Sequence, residues 1–236
     1  MRRCALLALG ALALAGCGAA TSGPGRGSGR ATVWVTGDRG ALVLHAAKVP
    51  PGLTAIQGLE RVAKVGTRYG GRYVQSVDGV TEHGRRAWFY YVNGYLADRS
   101  AAEYRLRAGD VEWWDYRAWS DPAQDPVVVG SFPEPFLHGY DGRRRPAVVA
   151  ALDPGNPLVR AVARRLRGHA LLATGRIPPD ANVLFLSGGT TGTRFEAAMR
   201  AGGASPGSPV RMLYLGDMRR LAVKRWPYRF RYEVRS

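Results

Sequence analysis

An α+β chain in two unequal parts is what the sequence predicts. Three observations carry this. Residues 31–120 are mostly β-rich runs punctuated by Gly/Asp and Asn-Gly turns, with one helical stretch among them. Strand-like runs alternate with helical ones over 121–236, which argues for a small α/β layer. Between the two lies SDPAQDP (120–126), a Pro/Asp boundary.

MRRCALLALGALALAGC opens with two arginines, continues as a Leu/Ala run too short to span a bilayer and ends in small residues, the anatomy of a secretory signal over 1–16. Leu14-Ala15-Gly16-Cys17 resembles a bacterial lipobox, which implies cleavage before Cys17 and lipidation of its thiol; an ordinary signal peptide cut nearby is the other reading. The expected address is the extracytoplasmic face of the cell membrane, held by a lipid anchor. GAATSGPGRGSGR (18–30) has no bulky apolar residue, so 17–30 reads as a lipidated flexible linker with a reach of about 20 Å. Cys4 and Cys17 are the only cysteines, so the folded parts hold neither a disulfide, a thiolate nucleophile nor a cysteine-ligated metal.

Net charge is +16, and 121–236 carries +9 of it against +3 for 31–120. A basic surface suits nucleic acid, anionic lipid or an acidic partner, and an exported chain meets lipid headgroups or wall polymers rather than nucleic acid. Only three of the 34 basic residues are Lys. A GC-rich coding bias would also produce that excess of Arg, so patch and bias both stand.

ATVWVT and ALVLHAAKVP flank Gly37-Asp38-Arg39-Gly40 as a hairpin, and Pro50-Pro51-Gly52 ends it. Thr54 is placed to cap a helix in which Ile56, Leu59, Val62 and Ala63 recur at helical spacing, running to about Val65. YVQSVDG (73–79), RRAWFYYVNG (85–94) and VEWWDYRAW (111–119) are strands, with EYRLRAGD (103–110) a turn-rich crossing. A hairpin, a helix on one face and three more strands make a β-grasp arrangement.

Within that frame the run Trp88-Phe89-Tyr90-Tyr91-Val92-Asn93-Gly94, then Gly109-Asp110, then Trp113-Trp114-Asp115-Tyr116, resembles the β-grasp domain at the C-terminus of transcobalamin and intrinsic factor. That domain is grouped with the soluble-ligand-binding β-grasp domains and also occurs in bacterial surface proteins. The resemblance implies a binding module for a flat organic ligand, a corrinoid among the candidates. The helical barrel that clasps cobalamin from the other side in the vertebrate proteins has no counterpart here.

Alternation along the strands puts Trp88, Tyr90 and Val92 on one side and Phe89, Tyr91 and Asn93 on the other. On the last strand Val111, Trp113, Asp115, Arg117 and Trp119 oppose Glu112, Trp114 and Tyr116. A lone helix covers one face, so the other is expected to expose rings that suit a flat ligand, a sugar or a protein domain. The expected ligand residues are Phe89, Tyr91, Asn93, Trp114 and Tyr116; the mirror-image set is Trp88, Tyr90, Trp113 and Trp119. Packing of the second part against that face is the competing reading. Asn93-Gly94 and Gly109-Asp110 also have purely structural roles as turns.

In the second part PVVVGSF (126–132), AVVAAL (147–152), NVLFLSG (182–188) and VRMLYL (210–215) read as strands. NPLVRAVARRL (156–166) and TRFEAAMR (193–200) read as helices, PEPFLHGYDGRRRP as an irregular connector, and WPYRFRYEV as a cationic edge strand. SGGTTGT (187–193) lacks the Gly-Lys-Ser/Thr ending of a phosphate loop, reading instead as a strand-to-helix turn. Histidines 45, 83, 138 and 169 show no ligand spacing, and Ser187 has Phe185 where a nucleophile elbow needs Gly. Glu134 and Asp141 would have to converge for glycosidase-type chemistry. The expectation is a non-catalytic protein capturing a small organic ligand for an uptake transporter, or else an envelope interaction module.

Overall fold

The computed structural model describes residues 29–119, 125–189, 192–201, 204–223 and 227–236, so the signal segment and Cys17 lie outside the described residues. Among the described residues the chain is a strand-rich mixed α/β structure with short helices and three sheets.

Strand β1 (Ala31–Gly37) pairs antiparallel with β2 (Leu42–Val49) and parallel with β8 (Val111–Ala118). Strand β6 (Arg86–Val92) joins β8 antiparallel, and the short β7 (Tyr95–Leu96) closes the order β2-β1-β8-β6-β7. Helix α1 (Ala55–Glu60) lies on one face of this sheet. Its start is as expected: Thr54 Oγ1 accepts from Gln57 N and Gln57 Oε1 accepts from Thr54 N, a capping box. Its end is earlier than periodicity suggested. Val65–Arg68 form β3, which pairs with β4 (Tyr73–Val77), followed by β5 (Val80–Thr81), because β-branched Val65 and Thr67 find cross-strand partners in Val77 and Val74.

The second sheet runs β10-β9-β11-β13-β12-β14. Strands β9 (Ala147–Ala151), β10 (His169–Leu172), β11 (Asn182–Gly188) and β13 (Val210–Gly216) are parallel, with β12 (Arg194–Met199) antiparallel to β13 and to β14 (Val234–Arg235). Helix α3 (Pro157–Arg165) starts on an Asn156 cap with Pro157 in its first turn and buries Val159 and Val162. Two shorter helices, α2 (Glu134–Leu137) and α4 (Arg219–Ala222), fill connections.

Three expected elements differ. TRFEAAMR is strand rather than helix: Phe195 enters the core while Arg194 and Glu196 pair on the other side, and ladder partners on both edges outweigh the helix propensity of Glu-Ala-Ala-Met. SGGTTGT therefore joins two strands. PVVVGSF is a wedge, not a strand. Val127, Val128 and Val129 are all buried, and their backbone bonds go to different partners: Val128 N donates to Gly94 O and Val129 N to Tyr232 O. Among the described residues of the tail only Val234–Arg235 is strand, since residues 227–230 turn to fit the first sheet. One apolar cluster runs from Val33, Leu59 and Trp114 through Tyr95, Tyr104 and Tyr140 to Phe136, Val149 and Leu184, continuous across both sheets.

Candidate functional site

The register of β6 against β8 decides which aromatics share a face. Trp88 pairs with Tyr116, Phe89 with Asp115, Tyr90 with Trp114 and Tyr91 with Trp113. Paired residues project to the same side. Trp114 and Tyr116 thus stand with Trp88 and Tyr90, opposite Phe89, Tyr91 and Asn93. The five expected ligand residues straddle the sheet, and so does the mirror-image set. Strand alternation fixes sides within one strand only; the inter-strand register was the missing quantity.

Both faces are covered over most of their length; Trp119, at the end of β8, is 62% exposed and meets the Phe89 ring edge-on at 6.5 Å. Trp114 stacks on Tyr90 at 4.8 Å beneath α1 and β3–β5, Trp88 Nε1 donates to Val80 O at 2.9 Å, and Tyr116 OH donates to Thr81 O at 3.0 Å. On the other face Tyr91, Trp34 and Trp113 are roofed by the chain's own residues 228–232. Phe230 meets Trp34 at 4.8 Å, and Tyr232 meets Trp113 at 5.3 Å and Tyr91 at 5.5 Å. Gly40, with φ of +79°, permits this, since a Cβ there would lie 1.7 Å from Phe230 O. Tyr91 and Asn93 have no exposed surface, Trp114 is buried, and Phe89 and Tyr116 are half-buried. Most of the expected open aromatic face is instead an internal joint.

Polar groups lock that joint. Asp115, fully buried, accepts from Thr36 Oγ1 (2.6 Å), Arg39 N (3.1 Å), Gly40 N (3.1 Å) and Tyr232 OH (2.9 Å). Arg117 donates to Tyr91 OH and Tyr232 OH, both at 3.2 Å, and lies 3.9 Å from the Phe89 ring. Burial works against its charge, but Tyr91 and Tyr232 hold the guanidinium above its ordinary pKa. Burial likewise pushes the Tyr91 phenol up to about 12. Asn93 is structural too: Nδ2 donates to Asp110 Oδ1 (2.7 Å) and Gly139 O (2.8 Å), and Oδ1 accepts from Val111 N (2.8 Å).

A pocket of about 270 Å³ opens at the seam between the two sheets, lined by Arg99, Tyr140, Asp141, Arg143, Arg145 and the turn 205–208. Ser205-Pro206-Gly207-Ser208 forms that turn, with Ser208 N donating to Ser205 O at 3.0 Å and Gly207 at φ of +82°. Pro-Gly in the sequence was the available signal for the turn, but nothing local says that Arg99 lies across from it. Glu134 and Asp141 each have a basic partner: Glu134 holds His138, raising that imidazole's pKa, while Asp141 Oδ1 meets Arg107 Nη2 at 2.7 Å. Among the described residues no three His, Cys, Asp or Glu side chains group as a metal site, and no helix is long and apolar enough to cross a membrane.

Residues 52–118 match the DUF4430 family, a domain of unknown function. No curated protein matches the chain. Eight chains of solved structures do. One, from Ruminococcus gnavus and described as a candidate metal binding protein, is 16% identical with a TM-score of 0.32, over 39% of this chain and 99% of its own.

Proposed function

We propose that the protein is an extracytoplasmic lipoprotein, anchored through Cys17 and held off the membrane by the 18–30 linker, that captures a small organic ligand without catalysis. The lipobox-like Leu14–Cys17 supports the anchor. The DUF4430 match falls inside the segment that resembles the transcobalamin-type β-grasp domain, and a β1–β2 hairpin, a lone helix and a final strand parallel to β1 fit that reading of 31–120. Residues 121–236 then serve as an accessory α/β domain.

The ligand sits in the seam pocket rather than on the aromatic strands. One observation carries this: apart from Trp119 at the end of β8, the aromatic faces are occupied by α1 and by Phe230 and Tyr232, whereas the seam is concave and lined by convergent polar groups. At about 270 Å³ the pocket lies below the usual range for drug-sized ligands, which points to a ligand smaller than a corrinoid. Delivery to an uptake transporter is the downstream role. The envelope-interaction reading retains one supporting fact, the packing of Phe230 and Tyr232 on the aromatic face.

Native mass spectrometry of the protein purified from its own host tests the assignment. The expected result is a retained small molecule that Ser205→Trp, which fills the pocket, eliminates. A protein that carries none would favour the interaction module.

A further inference from the structure

Against the two arginines of the cleft beside α3, the seam pocket gathers three. Arg99, Arg143 and Arg145 line it, and Asp141 is the single carboxylate among its lining residues. The cations are held by different means. Arg145 Nε donates to Gly207 O at 2.5 Å and its Nη1 to Asp180 O at 3.5 Å, both uncharged acceptors, so its position is fixed while its charge is not neutralised. Arg99 Nη1 donates to Asp141 Oδ2 at 3.3 Å, and its guanidinium lies 5.6 Å from the Tyr140 ring. Asp141 is shared with Arg107, and Asp98 accepts from Tyr140 OH at 2.8 Å beside Arg99. Arg143 is exposed and has neither ion pair nor side-chain hydrogen bond among the described residues. Counting Arg99, Arg107, Arg143 and Arg145 against Asp98 and Asp141, the site carries a surplus of two positive charges.

That surplus sits where a ligand would be partly desolvated, and Ser205 and Ser208 add hydroxyls at the rim. Guanidinium forks and hydroxyls arriving from separate directions match a tetrahedral dianion with three free oxygens better than a planar carboxylate. Resting on the reading of this pocket as the ligand site, we infer that it binds a small organic phosphate through Arg143, Arg145 and Arg99. Coding bias explains how many arginines the chain has, but not why three face one pocket with two of them tied down by backbone carbonyls and an aspartate.

Isothermal titration of the full-length protein with glycerol 3-phosphate, succinate and glycerol at fixed ionic strength tests this. Glycerol 3-phosphate is expected to bind most tightly and to weaken as salt rises. Arg143→Ala is expected to weaken that binding about tenfold, the loss of one charge-assisted contact, with an unchanged unfolding midpoint. Glycerol binding as tightly as its phosphate, succinate binding more tightly, or an Arg143→Ala protein with undiminished phosphate affinity would each overturn the phosphate assignment and leave the pocket as a ligand site. Phosphate binding that survives Ser205→Trp overturns the pocket itself.

Discussion

Glu112 is fully buried on β8, with Oε1 accepting from Trp114 Nε1 at 2.5 Å and Oε2 without a partner among the described residues. Burial, chiefly, with Asp110 adding to it, raises its pKa well above the carboxylate range. Below the unfolded-state pKa near 4.5 the group is protonated whether folded or not and contributes no pH dependence. Above it the unfolded chain releases the proton first, so this residue withdraws stability as pH rises, at a limiting slope of about 1.4 kcal/mol per pH unit. Glu112→Gln is expected to gain stability relative to the parent between pH 5 and pH 8, read from urea midpoints; a constant difference across that range would contradict it. In the sequence Glu112 was placed on the correct side of its strand with Trp114, but strand parity says nothing about depth. Asn93 shows the same limit: its turn role was legible, while its bond to Gly139, 46 positions away, was not.

Among the elements, the tail has the most to say. Its sequence alternates like a strand, and the expected edge strand forms only at Val234–Arg235 among the described residues, because Phe230 and Tyr232 gain more from Trp34, Tyr91 and Trp113 than from a ladder. Tyr232→Ala should remove those ring contacts together with the hydroxyl that bonds Asp115, leaving a buried carboxylate short of one donor. The expected cost is about 3–5 kcal/mol, with a red shift of tryptophan fluorescence in the native state. An unshifted spectrum and unchanged midpoint would mean that residues 228–232 do not cover the sheet in solution. Strands β1, β2, β6 and β8 of the first sheet were legible because Asn-Gly and Gly-Asp turns bracket dense β-formers, whereas the two-residue β7 was not read. TRFEAAMR was not, since a segment rich in Glu, Ala and Met becomes a strand only when partners stand on both sides of it.

For the whole molecule, the decisive fact is that the apolar cluster does not stop at the Pro/Asp boundary. Tyr95, Tyr104 and Tyr140 join the layer under α1 to the one under α3. Calorimetry is therefore expected to give one unfolding transition with matching calorimetric and van 't Hoff enthalpies, and two separated transitions would break the case for a shared core. Composition could divide the chain into a β-rich and an alternating part, but the joint between them depends on rings from both and has no local signature. The covering of the aromatic sheet sets a timetable as well. Tyr232 reaches Arg117 across 115 positions of chain and Asp115 across 117. At ribosomal speeds of about 5–20 residues per second, the tryptophans wait on the order of ten seconds for their lid to be made. Through that interval the nascent chain carries these rings without the aromatics that cover them.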